Sequence, residues 1–73
     1  MDCYYLSFAT DDAFLGGYIC EASSDIEALA KATFAGCNPG GEVAMLGPFP
    51  TSMFKPTYMG RLLDKAEIED AAV

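Results

Sequence analysis

The stretch from Ser24 to Val43 constrains the fold most, because it holds one complete helix signal between two apolar segments. Ser24 followed three residues later by Glu27 predicts a capping box, in which each side chain satisfies a backbone N–H of the first turn. Gly36 supplies the left-handed residue that commonly ends a helix, and Pro39 prevents its continuation. The sequence therefore predicts a helix that begins at Ser24 and ends near Gly36.

One side of this predicted helix is apolar and is expected to face the core. Its members recur at the spacing of one helical face, and they are Ile26, Leu29, Ala30, Thr33 and Phe34. Glu27 and Lys31 stand four residues apart, which predicts an ion pair on the solvent side.

Two segments before the helix predict a β-hairpin. Asp2 to Thr10 and Phe14 to Ala22 are rich in aromatic and aliphatic residues, and Asp11 and Asp12 lie in the connection, where short polar residues favour turns. A loop of two or four residues gives the same pairing register. On the side expected to pack against the helix, the predicted pairs are Tyr4 with Ile19, Leu6 with Gly17 and Phe8 with Leu15.

The opposite side of the predicted hairpin is too apolar to be left in water, so we expect it to bind a second subunit or a ligand. Its predicted pairs are Cys3 with Cys20, Tyr5 with Tyr18, Ser7 with Gly16 and Ala9 with Phe14. Together with a later aromatic residue, this side provides the predicted oligomer interface, which consists of Tyr5, Phe14, Tyr18 and Phe54. Cys3 and Cys20 are expected to be buried thiols and not a disulfide.

A third strand is predicted from Glu42 to Phe49, closed by Pro48 and Pro50. Strand, helix and strand form a crossover unit, so the second and third strands should run parallel. We therefore expect a single α+β domain over residues 1–73. It comprises a small three-stranded sheet made of a β-hairpin and a βαβ crossover, one covering helix and a short C-terminal helix.

The C-terminal third combines a proline-rich arm with the second helix. From Phe49 to Gly60 the chain mixes prolines with aromatic residues and methionines, and this arm packs either on its own domain or on a second subunit. Asp64 and Glu67 predict another capping box, and Leu63 and Ile68 are placed as a hydrophobic staple, so a helix should begin near Lys65.

Composition limits the classes of function. Eleven acidic residues against four basic ones give a net charge of -7, which disfavours direct binding of nucleic acid. Hydrophobic residues make up 52% of the 73, more than one helix on one sheet needs, so we expect a homo-oligomer. The sequence shows no secretory signal and no apolar run that could span a membrane, and its three cysteines lack metal-ligand spacing. A cytoplasmic protein that does not bind membranes is predicted.

No group of residues indicates catalysis. The chain contains no histidine, and its carboxylates stand mainly at predicted caps, turns and strand ends. Ser23, Ser24 and Ser52 lack the neighbouring base that is typical of a nucleophile. We expect neither an enzyme nor a cofactor or metal.

The glycine-rich turn is the candidate ligand site. Successive glycines allow backbone amides to converge on an anion or a carbonyl, and the Asn38 amide both donates and accepts. Basic residues outside the helices would supply the counter-charge, so the predicted site consists of Asn38, Gly40, Gly41, Lys55, Tyr58 and Arg61. The alternative is that these glycines serve only as a helix stop and a turn into the third strand.

Three short motifs resemble those of a group of small bacterial and phage proteins. They are the tyrosine-rich first strand with Phe-Leu-Gly after it, the Gly-Cys-Asn-Pro-Gly-Gly-Glu-Val turn and the Arg-Leu-Leu-Asp-Lys-Ala-Glu-Ile-Glu segment near the end. The resemblance covers most of the chain and carries no activity by itself. Small acidic phage proteins of this kind often antagonise host defence, either by sequestering a nucleotide signal or by occluding a protein.

The resemblance and the turn together suggest a non-enzymatic binding module in the host bacterial cytoplasm. The first hypothesis is a homo-oligomer that sequesters a small nucleotide-like ligand. One alternative is an acidic inhibitor that occludes a host protein. The shortage of basic residues favours this alternative. Another is a structural or accessory oligomer without a ligand.

Overall fold

The computed structural model describes residues 2–73, which form three strands and two α-helices. In chain order they are β1 (Asp2–Ala9), β2 (Phe14–Ala22), α1 (Asp25–Phe34), β3 (Glu42–Phe49) and α2 (Lys65–Ala71). Two short 3₁₀ turns, Thr51–Met53 and Pro56–Tyr58, lie between β3 and α2. The predicted α+β class, with a three-stranded sheet, one covering helix and a short C-terminal helix, is confirmed.

The strand order is β2-β1-β3, and both neighbouring pairs are antiparallel. Since β2 and β3 each run opposite to β1, they run parallel to each other, as the predicted crossover requires. They are not hydrogen-bonded neighbours, because β1 lies between them. The chain is therefore a split β-α-β arrangement, in which the hairpin's first strand occupies the centre of the sheet.

The predicted hairpin register holds for only one pair. Ala9 lies opposite Phe14, as a four-residue loop requires, but a bulge then shifts the pairing by one residue. Beyond it the pairs differ from the prediction, with Tyr4 opposite Cys20, Leu6 opposite Tyr18 and Phe8 opposite Gly16. A shift of one residue moves a side chain to the other face of the sheet. As a result Tyr18 and Cys20 share the face of Leu6, and Ile19 lies on the opposite face.

Both ends of α1 are closed by local hydrogen bonds. The Ser24 hydroxyl accepts from the Glu27 N–H at 3.1 Å, which confirms the predicted N-cap. The Glu27 carboxylate completes no box with Ser24, because it accepts instead from the backbone N–H and the hydroxyl of Ser23. At the other end Gly36 has φ +73°, and Cys37 N–H reaches back to the Ala32 carbonyl, which makes a Schellman stop.

The face of α1 that packs on the sheet differs from the predicted one. Ala28 and Ala32 are fully buried there, against a layer of larger side chains. That layer consists of Tyr4, Leu6, Phe8, Tyr18 and Cys20, and Ala22 belongs to the same buried cluster. Because the sheet supplies the large side chains, the helix approaches it with its smallest ones. The predicted inward orientation holds only for Leu29, which is half-buried against this cluster. It is wrong for the four exposed residues, Ile26, Ala30, Thr33 and Phe34.

A second core lies on the opposite face of the sheet. Ile19, Leu63 and Ala71 are buried at its centre, and half-buried residues of β1, the arm and α2 pack around them, namely Tyr5, Phe54, Tyr58, Met59 and Ile68. The proline-rich arm thus packs on its own domain. This second core accounts for much of the apolar content that a single layer could not use.

The start of α2 agrees with the prediction. Asp64 and Glu67 form a reciprocal capping box, with each side chain accepting from the other residue's backbone N–H. Leu63 is buried just before the cap, and Ile68 packs against the same core, as a hydrophobic staple requires. The cap and the staple together fix where the arm turns into α2.

Candidate functional site

The Asn38 side chain is occupied by the turn itself. Its Nδ2 donates to the Thr33 hydroxyl at 3.0 Å, and its Oδ1 accepts from the Gly40 N–H at 2.9 Å. The first bond ties the turn back to the last turn of α1, and the second forms an Asx turn. A ligand would have to replace both bonds to use this amide.

The two glycines of the turn differ in their surroundings. Gly41 has φ +73°, and an added Cβ would lie 2.7 Å from the Ala9 carbonyl oxygen and 2.9 Å from Leu15 Cδ1. Gly40 has φ +90°, with nothing within 4 Å of the same position. Gly41 therefore allows the chain to pass close to the end of β1 and the start of β2 before β3 begins, which is a structural reason for a glycine at that position.

The predicted counter-charges bind α2 and not the turn. Lys55 Nζ lies 3.1 Å from Asp70 Oδ1, and the Tyr58 hydroxyl donates to Asp70 Oδ2 at 2.6 Å. The hydrogen bond from Tyr58 and the charge of Lys55 lower the pKa of the Asp70 carboxyl, and the same hydrogen bond raises the pKa of Tyr58. These groups tie the arm to the C-terminal helix.

Arg61 belongs to the same cluster. It forms an ion pair with Glu67, and its guanidinium carbon lies 5.3 Å from the centre of the Tyr58 ring. The backbone N–H of Asp64 and the Arg61 guanidinium lower the pKa of Glu67. The six predicted ligand residues thus fall into two groups, one on the turn after α1 and one around α2, with no hydrogen bond between the groups within residues 2–73.

A shallow depression lies beside the turn. Its volume is about 220 Å³, and its lining comprises Ala9, Thr10, Asp11, Gly41 and Glu42. Small-molecule sites usually enclose about 300 to 1,000 Å³, so this one is small for a nucleotide. Two of its five lining residues carry carboxylates, which disfavour a phosphate.

The thiols are poorly placed for nucleophilic chemistry. Cys3 and Cys20 are buried and unpaired, as predicted, and burial raises the pKa of both. A raised pKa keeps a thiol protonated and weakly nucleophilic at neutral pH. Across the described residues, no three Cys, Asp or Glu side chains are grouped to hold a metal ion. Neither described helix has the length and hydropathy needed to cross a bilayer.

Most residues of the predicted oligomer interface pack within the chain itself. Tyr18 is buried under α1, Tyr5 is half-buried in the second core, and the Phe54 ring meets that of Phe49 edge to face at 5.8 Å. Phe14 remains exposed at the start of β2. The one-residue register shift explains the position of Tyr18, because it moves that residue to the α1 side of the sheet.

Two strongly exposed apolar side chains stand on the outward face of α1. Phe34 is 96% exposed and Ile26 is 73% exposed. With 3.6 residues per turn, Ile26, Ala30 and Phe34 form one row along the helix, roughly 180° from the buried alanine row. We call this row the outward α1 face. The hydrophobic pattern of the sequence identifies its members but does not reveal that they point away from the sheet.

Charged residues border the outward α1 face. Lys31 Nζ lies 3.6 Å from Glu27 Oε1 and also donates to the Glu21 carbonyl at 2.8 Å. Asp25 and Glu27 add two carboxylates to the first turn. Hydrogen bonds from Ser23 lower the pKa of Glu27, so this carboxylate stays charged at neutral pH. The outward α1 face is thus an apolar row with an acidic N-terminal border.

Comparison with models of known families, with curated proteins and with solved structures found no match to this chain. The resemblance to small bacterial and phage proteins therefore stays a prediction.

Proposed function

We propose that this chain is a non-enzymatic protein-binding module that inserts the outward α1 face into an apolar groove of a basic partner protein. The exposure of Phe34, at 96%, is the observation that supports this proposal most strongly. An aromatic side chain that contributes nothing to its own core is a typical anchor at protein interfaces. Ile26, Ala30 and Phe34 recur every four residues and so lie along one face of the helix, as recognition of a helix by a groove requires.

The charge of the chain favours a basic partner. The net charge of -7 and the carboxylates of Asp25 and Glu27 favour a groove bordered by lysine and arginine. Such steering accelerates association and is weakened by salt. On the resemblance stated above, the partner would be a host-defence protein. Three unpaired cysteines fit a reducing compartment such as the cytoplasm.

The test compares capture of bacterial proteins by four versions of the chain. Ile26→Asp and Phe34→Asp place a charge on the outward α1 face, and Val73→Asp makes the same change at an exposed apolar residue outside it. We expect one protein in stoichiometric amount with wild type and Val73→Asp. We expect its affinity, measured by calorimetry with both proteins purified, to fall at least about tenfold in the two α1 variants.

The contrary result would be a partner held equally by all four versions. It would show that binding uses another surface. Melting temperatures of the four versions have to agree, so that a loss of binding reports the surface and not unfolding.

Sequestration of a nucleotide-like ligand is the competing hypothesis. It would use the turn at Asn38 and Gly41, which the internal bonds of Asn38 and the acidic depression disfavour. Native mass spectrometry of the purified protein separates the two hypotheses. A bound nucleotide lost in Asn38→Ala but retained in Phe34→Asp would support sequestration and contradict the protein-binding proposal.

A further inference from the structure

The two outer edges of the sheet differ in whether the chain itself covers them. The outer edge of β2 is covered by the chain itself, since Gly17 exchanges two backbone hydrogen bonds with Leu63 at 2.8 and 2.9 Å and Gly60 donates to Ile19. Apart from its pairing with β1, β3 makes no backbone hydrogen bond to any other part of residues 2–73. Its outer edge therefore presents unpaired N–H and C=O groups to solvent.

The usable part of this edge is the run Glu42–Leu46. Over that run β3 keeps one register with β1, and an irregularity follows before Phe49, where Pro48 lacks an N–H to donate. Met45 is 38% exposed and Leu46 is 47% exposed. We call Glu42–Leu46 the free β3 edge.

We propose that the free β3 edge pairs with the same edge of a second copy, antiparallel and about a two-fold axis at Ala44. This inference is independent of the outward α1 face and adds an assembly to the proposed function. Strict two-fold symmetry places one residue opposite its own counterpart. With Ala44 in that place, Val43 lies opposite Met45 and Glu42 lies opposite Leu46. The two three-stranded sheets would then become one sheet of six strands.

Charge favours the antiparallel orientation over the parallel one. Glu42 is the one charged residue of β3, at the end of the free edge. At about 3.4 Å per residue, antiparallel pairing about Ala44 separates the two Glu42 residues by about 14 Å along the strands, beyond the Debye length of about 8 Å in physiological salt. Parallel pairing would bring them together. The apolar remainder of the edge suits an apolar strand such as itself and gives a basic peptide little to bind.

The small extent of the surface is typical of weak, transient contacts. An interface of about 800 Å² per partner would take roughly a fifth of the 4291 Å² surface of one copy. Five residues per strand cover less than that, so we expect a dimer that dissociates in the micromolar range. The mean mass should then rise with concentration.

Sedimentation equilibrium over a roughly hundredfold range of concentration around the micromolar tests this expectation. The mean mass of wild type should rise from 7.8 kDa towards twice that value. Met45→Lys and Leu46→Lys each place a charge on the free β3 edge, as natural edge strands do, and should remain monomeric. Ile26→Asp changes the outward α1 face and should dimerise like wild type. This variant separates failure of the present proposal from failure of the proposed function.

A cross-link tests the register. In a Cys37→Ser background, Ala44→Cys should form a disulfide between two copies under mild oxidation, because the two substituted residues face each other. Thr10→Cys, on the exposed hairpin loop, is the control and should remain uncross-linked.

A wild-type chain that stays at 7.8 kDa throughout, or a dimer that persists in both lysine variants, would overturn the proposal.

Discussion

Two neighbouring glycines, Gly40 and Gly41, show that the surroundings of a residue determine how much a side chain there would destabilise the fold. Both have positive φ, so both adopt a conformation that residues with a side chain rarely take. Only Gly41 passes close to other atoms, at the Ala9 carbonyl and the Leu15 side chain. A side chain at Gly41 would therefore add a steric clash to the backbone strain.

We expect Gly41→Ala to lower the free energy of unfolding by about 2 to 4 kcal/mol, as the sum of backbone strain and overpacking. Gly40→Ala should cost about 1 kcal/mol, since strain acts there without a clash. Urea denaturation of the two variants beside wild type measures the difference. Equal losses would mean that the chain does not approach Ala9 as closely as described.

Among the elements, the arm and α2 stabilise each other. Lys55 N–H donates to the Ala71 carbonyl and Val73 N–H donates to the Met53 carbonyl, each at 2.8 Å. Asp70 adds the side-chain contacts to Lys55 and Tyr58. A helix of seven residues is too short to be stable alone, so these contacts and the buried Leu63 hold it in place.

The Asp70 contacts predict a dependence of stability on pH. The folded pKa of Asp70 lies below its unfolded value of about 3.9, so its contribution is present above that pH and is lost as pH falls through the folded pKa. Asp70→Asn should therefore reduce the loss of melting temperature on acidification from about pH 5 to about pH 3. Asp11→Asn, on the hairpin loop, serves as the control for the change of charge. An unchanged acid dependence in Asp70→Asn would contradict the pairing.

Helix limits could be predicted from the sequence, whereas the orientation of α1 could not. The caps at Ser24 and Asp64 depend on residues three positions away, which a local pattern captures. Which row of α1 faces the sheet depends on the size of the side chains beneath it. Ala28 with Ala32 and Ile26 with Phe34 are both apolar rows, and only the large residues of the sheet decide between them.

The same limit explains the strand register and the candidate site. The bulge after Phe14 depends on how the whole strand packs, so the loop length alone predicted the wrong face for Tyr18. The predicted ligand residues Lys55 and Arg61 were chosen for their charge. Their partners, Asp70 and Glu67, belong to a helix whose position depends on the second core.

On the scale of the whole molecule, the sheet carries a core on each face and leaves two apolar features uncovered. The outward α1 face lies opposite the first core, and the free β3 edge is the open side of the sheet. A chain of 73 residues with a net charge of -7 can keep such features in water because like charges limit unspecific association. We therefore interpret both as binding surfaces.

The free energy of unfolding of Phe34→Asp, measured by urea denaturation, tests most directly whether the apolar row of α1 lies outside the core. Ala32→Asp, which places a charge in the first core, should unfold the chain and serves as the control. Because Phe34 contributes nothing to the core, its substitution should cost no more than about 1 kcal/mol, the penalty of a carboxylate in the last turn of a helix. A loss of about 3 kcal/mol or more would place Phe34 in the core and contradict the account.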